Sequence, residues 1–80
     1  MSRHELWVEL TDEPGNLARL AGDLAACGAN VVDIEVRPGA AGTVLDRIVV
    51  DVPDGREGAL EVVATRYLAS YRQVDPSSTA

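Results

Sequence analysis

The sequence predicts an α+β fold in which strands and helices follow one another in the order βαββαβ. Two patterns carry this prediction. Apolar and polar residues alternate around Leu6, Val8 and Leu10, which is typical of a strand with one buried face. Apolar residues then recur at helical spacing from Leu17 to Leu24. Both patterns return in the second half of the chain. The whole chain of 80 residues suffices for one domain.

The first half of the chain is predicted to form a strand and a helix. The alternation covers residues 5–10, and the acidic, Pro-Gly-containing residues 11–15 end it. We expect Pro14 at the first helical position, where its missing N–H costs no hydrogen bond. We expect Gly28 to end the helix in a left-handed conformation. Leu17, Leu20, Ala21, Leu24 and Ala25 recur at helical spacing, and the helix is expected to pack through Leu17, Leu20 and Leu24.

The second half is predicted to contain a hairpin, a helix and a short strand. Residues 30–37 and 44–52 alternate around a turn, and in the first of these strands Val32, Ile34 and Val36 are expected to share one face. Residues 71–74 are the expected last strand. The domain then spans residues 1–75, and the small polar residues 76–80 are expected to be a disordered tail. The second helix is predicted to bury Leu60, Val63, Ala64, Tyr67 and Leu68.

This order of elements is that of the ferredoxin-like sandwich. Right-handed crossovers interlock the two halves into a four-stranded antiparallel sheet of order 4-1-3-2, with both helices on one face. Strands two and four are edges, where a second copy can pair. The face away from the helices is predicted to carry Glu5, Trp7, Glu9, Val31, Asp33, Glu35, Leu45, Arg47, Val49 and Asp51.

Composition argues against several classes of function. The net charge is −6 and lysine is absent, so neither a nucleic-acid partner nor a membrane partner is expected. The single cysteine, together with the lack of an apolar signal-peptide stretch at the start, favours a reducing, cytoplasmic location. The preference for Ala, Val, Gly and Arg over Lys, Ile and Phe hints at a GC-rich bacterial genome.

The sequence offers no set of residues for catalysis. Cys27 and His4 are not spaced as metal ligands, and one histidine near a terminus supplies no Ser-His-Asp triad. We therefore predict no metal, no cofactor and no enzymatic activity. An acylphosphatase is disfavoured because residues 11–13 are acidic where that family needs a phosphate-binding loop. An RNA-recognition domain is disfavoured because its central strands would need aromatic residues.

Three segments resemble the ACT-domain family. Residues 8–20, VELTDEPGNLARL, resemble its signature, in which a strand leads through a D-x-P-G-x-L loop into a helix. Residues 24–31, LAACGANV, resemble its helix end, glycine and Asn-Ile pair, with Val31 in place of Ile. Residues 46–50, DRIVV, resemble its third strand. The resemblance implies a regulatory domain that senses an amino acid or related metabolite at a homodimer or higher homo-oligomer interface.

The resemblance also implies where the ligand binds. The first N–H groups of a helix lack intrahelical acceptors, and the helix dipole favours a carboxylate there. Gly15 leaves room for close approach, Asp12 can take an ammonium group, and Asn30 offers both a donor and an acceptor. The expected ligand-binding residues are Asp12, Gly15, Asn16, Leu17, Asn30 and Val31.

Several of these residues also have purely structural interpretations. Gly15 can simply make the turn, Asn30 can serve a left-handed backbone, and Asp12 can bond loop N–H groups. The alternative function is a ligand-free dimerisation or interaction module of an enzyme or regulator of amino-acid metabolism. Saturable binding of an amino acid separates the two hypotheses.

Overall fold

The computed structural model describes residues 1–74 and has the predicted element order. Residues 75–80, which include the expected tail and the last residue of the expected domain, lie outside the described part. Neither helix of the described residues is long and apolar enough to cross a membrane. The elements are β1 (Ser2–Thr11), α1 (Asn16–Ala26), β2 (Asn30–Pro38), β3 (Thr43–Val52), α2 (Glu57–Arg66) and β4 (Ser70–Val74).

The four strands form one antiparallel sheet in the order β2-β3-β1-β4, which confirms the predicted order 4-1-3-2. β1 and β3 are the central strands. Their register pairs Leu6 with Ile48 and Leu10 with Val44, so the apolar side chains of both strands face the same way. The core forms where this face meets the two helices. It consists of Leu6, Val8, Leu10, Leu20, Leu24, Cys27, Ile48, Val50, Val52, Leu60, Val63 and Ala64.

A β-bulge changes the faces of β2 from the predicted ones. Val31 pairs with Val50 and Asp33 pairs with Val49, so Val32 is an extra residue in the ladder. Val31 therefore lies on the helix side and packs against the core, whereas the alternation had placed it on the open face. Ile34 and later residues keep their predicted faces, because the bulge precedes them. A bulge adds one residue to a strand, and alternation of apolar and polar residues along the sequence does not reveal where it lies.

The first helix begins later than predicted. α1 starts at Asn16, with Gly15 as its N-cap in a left-handed conformation at φ +89°, so the placement of Pro14 at the first helical position is wrong. The predicted end is confirmed. Gly28 is left-handed and its N–H bonds the Ala25 carbonyl, while Ala29 N–H bonds the Leu24 carbonyl. These two bonds form a Schellman motif.

The second helix ends in the same motif without a glycine. Leu68 N–H bonds the Thr65 carbonyl and Ala69 N–H bonds the Ala64 carbonyl, at φ +54° for Leu68. The helix therefore stops before the turn that would have buried Leu68, which is 92% exposed. The prediction that Leu68 belongs to the core is wrong, because regular helical spacing was extended past the end of α2.

The open face of the sheet is held by a charged network centred on Glu5. This carboxylate accepts hydrogen bonds from Trp7 Nε1 at 3.0 Å, Arg47 Nε at 2.7 Å and Arg72 Nε at 3.3 Å. These donors keep the pKa of Glu5 below its ordinary value, with the Trp7 bond as the largest cause. Trp7 lies on this face, as predicted, and the Arg37 guanidinium lies over its ring at 5.5 Å.

The two left-handed helix ends predict opposite effects of substitution. Leu68→Gly should stabilise the domain by about 1 kcal/mol, because a left-handed conformation costs an L-residue about 1–2 kcal/mol. Gly28→Ala should destabilise it by a similar amount. An added Cβ there would meet Pro53 only at 3.8 Å, so strain and not a clash is the cause. Urea unfolding measures both changes.

Leu68→Ala is the control for loss of the leucine side chain. It keeps the backbone strain, so the free energy of unfolding should change by less than about 0.5 kcal/mol. A destabilisation by Leu68→Gly that Leu68→Ala does not share would contradict the assignment of strain to this position.

Candidate functional site

A cavity of about 160 Å³ lies where α1 begins, on the helix side of the sheet. The loop from β1 to α1 forms one wall, and β3 with the edge strand β2 forms the other. The cavity is open to solvent at the rim, where Asp12, Glu13 and Val36 are exposed. Its full lining is Leu10, Thr11, Asp12, Glu13, Asn16, Leu17, Val36, Val44 and Asp46.

The N-terminus of α1 supplies hydrogen-bond donors to this region. Arg19 N–H bonds the Gly15 carbonyl at 2.9 Å, and Asn16 N–H bonds the Glu13 carbonyl at 3.4 Å. Among the described residues, the N–H groups of Leu17 and Ala18 have no acceptor, and no side chain caps the helix. The first turn also lacks an acidic residue. These N–H groups and the helix dipole therefore remain available to an anionic group.

The loop before α1 is fixed by short-range bonds. Asn16 Nδ2 donates to the Thr11 carbonyl at 3.0 Å and to Thr11 Oγ1 at 2.6 Å. The Asp12 N–H bonds the Gly42 carbonyl at 3.0 Å, which ties the loop to the turn between β2 and β3. The Asn16 amide, predicted as a ligand contact, thus also holds the wall of the cavity in place.

Asp46 is the most unusual residue of the cavity. It lies on β3 between Val8 of β1 and Val36 of β2, on the helix side of the sheet, and is 1% exposed. Both carboxyl oxygens are buried and have no hydrogen-bond partner within residues 1–74. Burial alone raises the pKa of Asp46 above the ordinary value of an aspartate. A buried polar group without a partner costs free energy that the fold has not offset.

Asp46 was missed as a site residue, although the sequence contains a signal for it. Positions 44, 46, 48, 50 and 52 alternate onto one strand face, and four of them are Val or Ile. A carboxylate within such a set violates the period-two pattern of a buried face. The violation marks a position where the sequence departs from what packing alone requires.

The structure brings together only part of the predicted site. Asp12, Asn16 and Leu17 line the cavity, and Gly15 precedes them at the helix start. An added Cβ at Gly15 would meet nothing within 4 Å, so its left-handed φ, not close approach, requires glycine. The turn alone therefore explains why residue 15 is a glycine.

Asn30 and Val31 lie at the opposite end of the sheet from the loop. Asn30 pairs with Asp51 of β3, whereas Thr11, beside the loop, pairs with Thr43. At about 3.3 Å per residue along β3, these ends are roughly 26 Å apart. One chain thus does not join the two halves of the predicted site. Asn30 lies within β2, so the left-handed interpretation of this residue is wrong.

Asp12 makes no side-chain hydrogen bond within the described residues, and its exposed carboxylate stands at the cavity rim. The interpretation that the Asp12 carboxylate bonds loop N–H groups is therefore wrong. Its backbone, not its side chain, holds the loop.

Solved structures share this arrangement of elements. A protein described as a glycine cleavage system transcriptional repressor aligns at TM-score 0.77 and 11% identity, over 94% of this chain and 47% of that one. The regulatory subunit of aspartate kinase from Thermus thermophilus aligns at TM-score 0.61 and 18% identity, over 91% and 50%. Formyltetrahydrofolate deformylase from Burkholderia mallei aligns at 0.60 and 18%, over 94% and 28%.

The chain spans half or less of each of these proteins. No protein-family model and no curated protein sequence matches it. At these identities the likeness shows a common fold, and the fold defines a small α+β domain of the βαββαβ class. The ACT-type resemblance carried by residues 8–20 agrees with this shared fold.

Removing the buried charge of Asp46 should stabilise the domain. Asp46→Val replaces an unsatisfied carboxyl by an apolar side chain and should raise the free energy of unfolding by about 1–3 kcal/mol at neutral pH. The wild type should also lose stability, relative to Asp46→Asn, as pH rises from the ordinary aspartate pKa through the raised pKa of Asp46. The native state holds the proton more tightly than the unfolded chain does. Urea unfolding across a pH series measures both effects.

Asp51→Asn is the matched control on the same strand. Asp51 accepts a 2.7 Å bond from Arg3 Nε, and this bond is the largest cause of its lowered pKa. The stabilisation of the native state by Asp51 should therefore be fully present above the ordinary aspartate pKa. It should disappear as pH falls through the lowered pKa of Asp51. Asp51→Asn should destabilise at neutral pH. Destabilisation by Asp46→Val as well would mean that the Asp46 carboxyl has a stabilising partner.

Proposed function

We propose that this domain is a regulatory module that binds a small amino acid, or a closely related metabolite, in the cavity at the start of α1. The observation that carries the proposal is that one cavity has both hydrogen-bond donors and a carboxyl group that lack partners in the described residues. The N–H groups at the start of α1 lack acceptors, and the Asp46 carboxyl lacks donors. A ligand carboxylate suits the helix N-terminus, as helix-bound anions generally do.

The size of the cavity limits the ligand. The cavity measures about 160 Å³, which is below the roughly 300–1,000 Å³ of a usual cofactor site. We therefore expect a small amino acid such as glycine, alanine or serine. Four of the nine lining residues are apolar, namely Leu10, Leu17, Val36 and Val44, and they suit a ligand with a short apolar side chain.

Two of the structurally similar proteins support a regulatory role. One is described as a transcriptional repressor, and another is the regulatory subunit of aspartate kinase. The lining residues themselves include no histidine, cysteine or lysine. We therefore infer binding, not catalysis, as the role of this domain.

We further propose that the domain acts as a homodimer or a higher homo-oligomer. Three apolar side chains of the edge strand β2 are exposed, namely Val32, Ile34 and Val36. Edge strands with such residues favour pairing with a second chain. A second copy would also bring Asn30 and Val31 of one chain to the loop of the other, which one chain alone cannot do.

The same β2 surface favours the alternative function, a ligand-free dimerisation or interaction module. That function needs an association surface and no cavity. It does not account for an unpartnered carboxyl at 1% exposure beside a helix N-terminus. We therefore rank it second.

Ligand binding should be visible as thermal stabilisation. In a screen of the twenty amino acids at millimolar concentration, a small one should raise the melting temperature. A ligand at a hundredfold excess over its Kd stabilises the native state by about 2.7 kcal/mol. Each kcal/mol moves the midpoint of a domain this small by about 4–8 °C.

Two tryptophan variants test the place of binding. Val36→Trp should abolish the shift, because Val36 lines the cavity and is 54% exposed, so the indole can cover the opening. Val62→Trp is the control, since Val62 is 59% exposed on α2 and belongs neither to the cavity lining nor to β2. No shift with any amino acid would favour the interaction module. A shift that survives Val36→Trp would move the site elsewhere.

Complementation between two defective chains tests the shared site. Asn30→Ala and Val36→Trp should each bind poorly as homodimers. A mixed dimer should regain one site, in which the intact cavity of the first chain meets the intact Asn30 of the second. Calorimetric titration of the mixture measures the recovered sites, and sedimentation at tens of micromolar measures the assembly. A monomer at that concentration, or binding unaffected by Asn30→Ala, would contradict a site shared between copies.

A further inference from the structure

Asp46 lacks a partner although the chain has cations close by. The adjacent Arg47 points to the open face, where its guanidinium bonds Glu5 at 2.7 Å and Asp33 at 3.2 Å. Its cross-strand neighbours on the helix side are Val8 and Val36, which carry no charge. No ion pair of the described residues includes Asp46. A group from outside the chain can therefore supply the missing charge.

We propose that Asp46 binds the ammonium group of the ligand. The inference rests on the proposed function and assigns the recognition of the amino group within that same cavity. The ligand then lies with its carboxylate toward the N–H groups of α1 and its ammonium toward β3. Both walls belong to one cavity, lined by Leu17 on one side and Asp46 on the other.

Asp46 is better suited to this role than Asp12, which the sequence had suggested. Asp12 is exposed at the rim, where water and salt weaken its attraction for a cation. Asp46 lies in a region of low dielectric constant, where the same attraction is several times stronger. Val36 is the cross-strand neighbour of Asp46, lines the same cavity and is exposed, so a change of its rotamer can admit a small group.

The surrounding charges select the chemical class of the ligand. Asp12 and Glu13 line the rim, and the chain carries a net charge of −6. Ligands with a net negative charge are disfavoured by this field, whereas a zwitterion with no net charge is not. The arrangement therefore favours small α-amino acids over the corresponding hydroxy acids, which keep the carboxylate but lack the ammonium group.

The same arrangement makes binding depend on pH. The groups that line the cavity with Asp46 are apolar or uncharged on β1, β2 and α1, and its other titratable residues are Asp12 and Glu13 on the loop. Burial favours the protonated form of Asp46 in the free domain. The ammonium group binds the ionised form, so below the pKa of Asp46 a proton must leave the carboxyl when the amino acid enters. Affinity should therefore rise with pH until Asp46 is fully ionised in the free domain.

Matched ligand pairs test this assignment by calorimetry. The probes are glycine with glycolate and L-alanine with L-lactate, each pair differing in the amino and hydroxyl groups. The wild type should bind each amino acid at least about tenfold more tightly than its hydroxy acid. Asp46→Asn should lose about tenfold or more for the amino acid and keep its affinity for the hydroxy acid. Glu9→Gln is the control, because Glu9 is an exposed acid of β1 outside the cavity lining, and it should change the amino-acid affinity by less than about threefold.

Proton release provides a second measurement that needs no variant. Titrations of the wild type in buffers of different ionisation enthalpy should show a proton released on binding L-alanine, most strongly below the pKa of Asp46. Equal affinity for L-alanine and L-lactate, with no change in Asp46→Asn, would overturn the role of Asp46 and leave the cavity as a ligand site. Failure of all four probes to bind overturns the assignment. The amino-acid screen then decides separately whether the proposed function falls with it.

Discussion

The pairing of β1 with β3 is the constraint on which the rest of the structure depends. These central strands supply most of the sheet side of the core, and their register fixes which side chains face the helices. A domain of 80 residues has only one such layer, so each helix-facing position contributes a large share of its stability. The register that places Ile48, Val50 and Val52 in the core necessarily places Asp46 there too. The site therefore follows from the same pairing that makes the fold.

Much of the fold could be predicted because it follows from repeating patterns. Alternation identified the strands, helical spacing identified the helices, and Gly28 identified the end of α1. The errors occurred where one residue breaks a repeat. The bulge at Val32 shifts Val31 to the other face, and the left-handed Leu68 ends α2 before its expected core position. Such local departures depend on tertiary packing, which a single sequence does not record.

The candidate site was predictable in part for a related reason. The loop before α1 is a local feature, since its glycine and the following helix are consecutive, and the structure places Asp12, Asn16 and Leu17 at one cavity. Asn30 and Val31 depend on how distant strands register, and they lie at the far end of the sheet in one chain. Asp46 could have been noticed as a charge within an apolar set. To interpret it, one had to know that no cation of residues 1–74 pairs with it.

The two buried carboxylates of the sheet show why the isolation of Asp46 points to a ligand. Glu5 is 6% exposed, yet it collects donors from Trp7, Arg47 and Arg72, and its pKa is lowered. Asp46 is as deeply buried, has no donor, and its pKa is raised. The same sheet thus contains both a satisfied and an unsatisfied carboxylate.

The fold alone does not require an unsatisfied acid at position 46. Donors could surround it as they surround Glu5, or a valine could replace it with a gain in stability. Sites that bind ligands commonly retain groups that are unfavourable in the empty domain, because the ligand supplies the missing interaction. In the proposed complex an ammonium group would recover the free energy lost at Asp46 in the empty domain, and occupancy of the cavity would then be coupled to the stability of the whole sheet.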